Sequence, residues 1–229
     1  MIVFDRVSES NDLRTEAHKE RMGVMPGSDT QVTDMIKLVY GEFNKAHREA
    51  MLEPYDKLLE EVYDVSEDDI SIDYEVSDQV KEILTDFKFV NWMSLNENDR
   101  LDVINKLVDT VSDELGITDK PKVILTTENE DFFGAYDPQE NTIILNRKGF
   151  IDPRELVDTI THELRHAYQH MRAEKLETHE DALFRVNLEN YISPEQNEDG
   201  EFLNFYEYQN QYVEVDAMAF ADKFTEAMK

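Results

Sequence analysis

Residues 162–166 read His-Glu-Leu-Arg-His. On a helix, positions four apart lie one turn apart on the same face, so His162 and His166 can both aim an imidazole at one metal ion. Glu163 then lies close to a water held by that ion. A bound Zn2+ lowers the pKa of such a water to about 7, and a neighbouring carboxylate can take its proton. The pattern points to metal-assisted hydrolysis, with His162 and His166 as metal ligands and Glu163 as general base.

A catalytic zinc site needs a third protein ligand and one open position. His170 is the next four-residue step along the same helix, but one straight helix does not easily wrap three successive side chains round one ion. It is expected at the surface or supporting another ligand. In the longer pattern HExxHxxGxxH, Gln169 would have to be glycine and Arg172 histidine, so that pattern is excluded. His179 sits in an acidic stretch and is expected to be exposed. The remaining candidates are on a C-terminal helix whose apolar stripe is Val213, Ala217, Phe220 and Phe224. Glu214 and Asp216 flank that stripe on opposite sides, so only one of them faces the metal. Glu214 shares its side with Ala217, Met218 and Ala221, and Asp216 shares its side with Lys223, a potential ion-pair partner. That contrast leans only slightly towards Glu214.

The elements that must position these residues can be read from periodicity. Lys122–Thr127 is rich in strand formers. Phe132–Tyr136 and Thr142–Asn146 flank Asp-Pro-Gln-Glu-Asn and read as a hairpin. Asp152-Pro153 opens a helix running to about Lys175, which carries the motif. Further helices are expected at 178–191 and 203–227, with an acidic linker at Glu195–Glu201. Upstream, a helical pattern starts at Thr33 and is interrupted at Pro54. Ile70, Ile72, Tyr74 and Val76 alternate and suggest a short strand. Ser77 is placed to cap a helix carrying Val80, Ile83, Leu84 and Phe87. Leu101 to Leu115 form a long stripe that stops at Gly116. The expected fold class is α+β: an arm over 1–30, a mainly helical region over 31–120, and an α+β region over 121–229.

Thr161–Gln169 (THELRHAYQ), with Glu214-Val-Asp-Ala-Met-Ala-Phe-Ala further on, resembles the zincin metallopeptidases. Within them it is similar to the small gluzincin-like proteins and the ImmA/IrrE group, and to peptidase domains of phages, mobile elements and bacterial toxins. The resemblance covers Lys122–Met228, about half the chain. It implies a minimal zincin-like domain over 121–229, with a small antiparallel or mixed sheet, an HExxH helix and a C-terminal ligand helix. It also implies that Glu214 is the third ligand of a zinc ion, with Ala217, Phe220 and Ala221 in register. Relatives often carry Asp or Asn after the motif alanine to support a ligating histidine; here that position is Met218. Asp216 is a candidate for that role, or for the ligand itself. The resemblance further implies that Thr142–Asn146 is an edge strand along which an extended peptide lies. Tyr136, Tyr168, Tyr206, Tyr208 and Tyr212 are available as oxyanion donors, Tyr168 being expected to point elsewhere.

Composition bounds the alternatives. Acidic residues number 52 against 23 basic ones, a formal net charge of −29. Such a chain does not hold nucleic-acid phosphates or an anionic membrane surface. There is no cysteine, so no disulfide, thiolate site or cysteine nucleophile. No signal peptide and no apolar run of membrane-spanning length is visible, and a cytoplasmic location is expected. The function expected is zinc-dependent proteolysis of a protein or peptide substrate, with basic proteins steered towards the enzyme. Two other readings remain open: a zincin-like regulatory or partner-binding protein without proteolysis, and an acidic mimic of DNA.

Overall fold

A computed structural model describes residues 41, 44–127, 133–197 and 201–229. The arm at 1–30, the start of the helix at Thr33, Phe132 and the middle of the acidic linker lie outside the described residues. The chain divides between Ala46 and His47, and the compact unit from His47 onwards carries every element discussed below.

Helix α1 spans Tyr55–Glu61 and begins directly after Pro54. After a 3-10 turn at Glu67–Asp69, α2 covers Asp78–Leu84, α3 Phe89–Ser94 and α4 Glu97–Glu114. The Ser77 hydroxyl accepts from the Val80 N–H at 3.1 Å and caps α2 as expected. Phe87 lies beyond the end of that helix but is fully buried. Helix α4 stops where Gly116 takes φ +69°, a conformation that side chains with a Cβ rarely adopt.

The alternating segment 70–76 forms no strand. Its period is nevertheless real, because Ile72, Tyr74 and Val76 pack on the core while the residues between them are exposed. Alternation reports an extended backbone lying on an apolar surface. Here that surface includes the Phe220 and Phe224 rings, 5.0 and 5.4 Å from Tyr74, and helix side chains offer no backbone ladder to pair with.

Strands β1 (Lys122–Thr126), β2 (Gly134–Asp137) and β3 (Thr142–Asn146) form one mixed sheet in the order β1-β3-β2. Strand β3 is parallel to β1 and antiparallel to β2, the latter pair being the expected hairpin. Ile143 and Leu145 point into the core, and Ile144 lies on the other face. Because β3 is paired on both sides, it is not the edge strand the sequence reading expected. The edge nearest the motif helix is β2.

A 3-10 turn at Arg147–Ile151 leads into α5, Pro153–Lys175, with the bounds expected. Asp152 caps it by accepting from the Arg154 and Glu155 N–H groups. Helix α6 covers His179–Glu189. The single helix expected over 203–227 is two, α7 (Phe205–Gln209) and α8 (Tyr212–Ala227). They break at Gln211, whose extended backbone and buried side chain bind neighbouring segments instead of continuing the helix. The α5–α8 contact is the most extensive between helices. One core joins Val80, Trp92 and Leu107 to Ile143, Leu164 and Phe220, so residues before and after 121 fold around the same apolar centre. Among the described residues no helix is long and apolar enough to cross a membrane.

Candidate metal and catalytic site

The geometry of α5 places the His162 and His166 rings edge to face, with centroids 4.7 Å apart. Helix α8 brings Glu214 opposite them. Its first turn is fixed from outside, because Asn187 on α6 accepts from the Val213 N–H at 2.9 Å. The His162 and His166 Nε2 atoms are 3.1 Å apart, and they lie 3.3 and 3.5 Å from the two Glu214 carboxylate oxygens. Two ligand atoms at tetrahedral angles on a zinc ion are about 3.3–3.4 Å apart, given bond lengths near 2.0–2.1 Å. Each separation is near that value, with the two histidines facing different oxygens of Glu214, so the three side chains converge closely enough to share one ion. Glu214 is 2% exposed and the two histidines are partly open, so solvent reaches the group from the histidine side. Among the described residues this is the group of histidine and carboxylate side chains that can converge on one metal.

Three supports hold the triangle. Gln169 donates its amide protons to the Val213 carbonyl and to Asp216 Oδ2, at 2.8 and 2.6 Å. Its Oε1 is thereby left as an acceptor for His166 Nδ1, 2.8 Å away. That assignment puts the proton of a neutral His166 on Nδ1 and leaves Nε2 free to coordinate. Asp216 is anchored by Arg165 and is not a ligand. Tyr191 donates to Glu214 Oε1 at 2.6 Å.

The electrostatics follow from the burial. Burial alone would push the Glu214 carboxyl up, yet the two histidines and the Tyr191 hydrogen bond hold it down at about 2. Burial would push His162 down, but its hydrogen bond to Glu214 and the Glu163, Glu214 and Asp158 charges raise it to about 9. Without metal the pair is therefore a buried ion pair near neutrality. Glu163 is almost wholly buried, and its charge acts on both His162 and Tyr208.

Against profiles of known protein families, curated proteins and solved structures, the chain finds no match.

The other candidates stand apart from the triangle. His170 is half-buried with its ring 5.7 Å from that of Tyr136, and burial together with His166 lowers it to about 4. His179 is exposed and pairs with Glu61. Asp158 is half-buried, which raises its pKa, and its charge reaches His162. Tyr168 was expected to point elsewhere, and it packs under the Arg165 guanidinium. Tyr136 donates to Asn141, Tyr206 donates to Asp64, and Tyr212 packs against Phe184. Of the tyrosines named from sequence, only Tyr208 lies at the site, beside Tyr191 and Glu214.

The sequence reading missed Tyr191 and Gln169. Gln169 carried a signal, being three residues after His166 and so on the same face. Tyr191 carried none, since it reaches Glu214 from the far end of α6. Arg165 pairs with Asp216 deep in the interior.

Proposed function

We propose that the protein is a zinc-dependent endopeptidase of the zincin type. The observation that supports this best is the ligand triangle of His162, His166 and Glu214 with Glu163 beside it. When bound, zinc would supply a Lewis acid and bring the pKa of a coordinated water towards neutrality. Glu163 would take the proton of the attacking water and pass it to the leaving amine. Tyr208, close to Glu214 and within reach of the Glu163 charge, would donate to the oxyanion as it forms. The edge of β2 would hold an extended peptide by main-chain pairing, in the place first assigned to β3.

The test is elemental analysis of purified protein, wild type beside His162→Ala and Glu214→Ala, followed by proteolysis assays with Glu163→Gln. About one zinc per chain is expected, lost in both ligand variants. Glu163→Gln is expected to keep zinc and lose about a hundredfold or more in rate. No zinc after reconstitution, or full activity in Glu163→Gln, overturns the reading.

A further inference from the structure

We infer that the exposed apolar residues Phe202, Leu203, Phe205 and Tyr206 form a recognition ledge that receives a large apolar side chain of a peptide, next to a lysine or arginine of the same peptide. The inference rests on the hydrolase reading above and adds a substrate class to it.

The ledge residues precede α8, and the stretch 201–208 is tied by hydrogen bonds to the stretch 191–197 that follows α6. Several polar groups here are spent on holding the backbone. Gln211 donates to the Ile192 and Tyr208 carbonyls at 2.8 and 2.9 Å and accepts from the Ile192 N–H at 3.1 Å. Asn204 accepts from the Glu195 N–H at 2.7 Å and donates to the Ser193 carbonyl at 2.8 Å. The Leu203 N–H donates to the Glu195 carbonyl at 2.8 Å. A backbone clasped at this many points is preorganised for binding.

Its apolar groups do the opposite. Leu203 is 65% exposed, Tyr206 61%, and Phe202 and Phe205 close to half. Large apolar side chains left in solvent side by side mark a binding surface. The rings also lead somewhere. Phe202 to Phe205 is 5.1 Å between centroids, Phe205 to Tyr208 6.2 Å and Tyr208 to Tyr191 6.3 Å. The Tyr191 hydroxyl then touches Glu214. The row of rings thus leads from the exposed residues to a carboxylate of the triangle. Among the described residues, the exposed Phe89, Val90 and Met93 on α3 have no such link.

Charge supplies the second half of the specificity. Glu195 and Glu207 are exposed on the same segment, and neither forms an ion pair among the described residues. Together with the net charge of −29 they favour a cationic side chain flanking the apolar one.

The test uses an array of immobilised random-sequence peptides probed with zinc-loaded, full-length Glu163→Gln protein, so that binding is read without cleavage. Retained peptides are expected to pair Phe, Tyr, Leu or Met with an adjacent Lys or Arg. Adding Phe202→Ser and Phe205→Ser to that protein is expected to weaken retention about tenfold or more, with zinc content and melting temperature unchanged. Leu203→Ser is expected to act in the same direction, and Phe89→Ser, on the unlinked patch, is expected to change nothing. Retention without apolar preference, or undiminished in all ledge variants, overturns the ledge. Cleavage sites of the wild type, mapped by mass spectrometry, separate the two readings. Cleavage with no apolar preference sinks the ledge and keeps the hydrolase, whereas ledge-dependent retention with no cleavage by the wild type keeps the ledge and sinks the hydrolase.

Discussion

The Arg165 guanidinium grips the Asp216 carboxylate through two hydrogen bonds, 2.7 and 2.8 Å, with both side chains almost wholly buried. The pair lies on one flank of the α8 core stripe, and Glu214 meets the two histidines on the other. Helix α8 is therefore clasped to α5 on both sides of Val213, Ala217 and Phe220. The Tyr168 and Phe220 rings lie 4.5 and 5.1 Å from the guanidinium carbon and complete its surroundings.

Breaking one side of this pair leaves a buried charge uncompensated. Arg165→Met is expected to cost about 3–5 kcal/mol. Combining Arg165→Met with Asp216→Asn is expected to recover a large part of that, because the side-chain amide carries no charge and its oxygen can still accept from Gln169. Urea unfolding of the single and double variants measures both, and a loss below about 1 kcal/mol for the single change would show that the pair is not what seats α8.

The supports of the triangle are expected to act on metal affinity. Gln169→Leu and Tyr191→Phe each remove a hydrogen bond to a ligand and should weaken zinc binding about 10–100-fold in a chelator competition. Tyr208→Phe is expected to retain zinc while lowering kcat about 10²–10³-fold. Equal zinc loss in Tyr208→Phe would make that residue a support like Tyr191.

The metal-free protein should be sensitive to pH through His162 and Glu214. His162 is raised from 6.5 to about 9, so its contribution to stability is complete below pH 6.5 and is lost as pH rises through 9. Glu214 is lowered from 4.5 to about 2, so its contribution is complete above pH 4.5 and is lost as pH falls through 2. Thermal melting of chelator-treated protein should therefore decline between these limits on the alkaline side, and Glu214→Gln should flatten the decline. Zinc uptake near neutrality should release a proton from His162, which calorimetry in buffers of different ionisation enthalpy detects. A decline of equal slope in Glu214→Gln would assign it to other groups.

Strand β2 runs close against α5. A Cβ at Gly134 would meet Thr159 Cγ2 at 2.5 Å and the Ile144 carbonyl oxygen at 3.2 Å. Gly134→Ala is expected to destabilise by about 1–3 kcal/mol. Thr159→Ser removes the methyl and should restore part of the loss in the double variant. Thermal unfolding checks both, and no recovery would place the strain at the carbonyl.

Local rules made much of this protein legible before its fold was known. The cap at Asp152 and Pro153 set the start of α5, because capping involves only neighbours in the chain. The spacing of His162 and His166 set their common face, because helical geometry alone dictates it. The pleat of β3 puts Ile143 and Leu145 on one face and Ile144 on the other for the same reason. Where a rule needed a partner distant in sequence, the reading stopped short. The segment 70–76 had the period of a strand and no strand to pair with. Strand β3 lay in the expected hairpin, but the parallel addition of β1 turned it from edge to centre.

The composition and spacing of side chains determined that His162 and His166 share a helix face beside Glu163, and that a C-terminal helix offers Glu214 and Asp216. Only the tertiary structure decided between Glu214 and Asp216. At about 100° per residue the two flank one stripe almost symmetrically, so periodicity could not separate them. What separates them is long-range contact: Arg165 takes Asp216 across 51 positions, and the histidine pair takes Glu214. The same holds for Tyr191 and the aromatic ledge. Their roles come from where α6 ends relative to α8, and long-range packing, unlike a helical repeat, is not a property of any short stretch of chain.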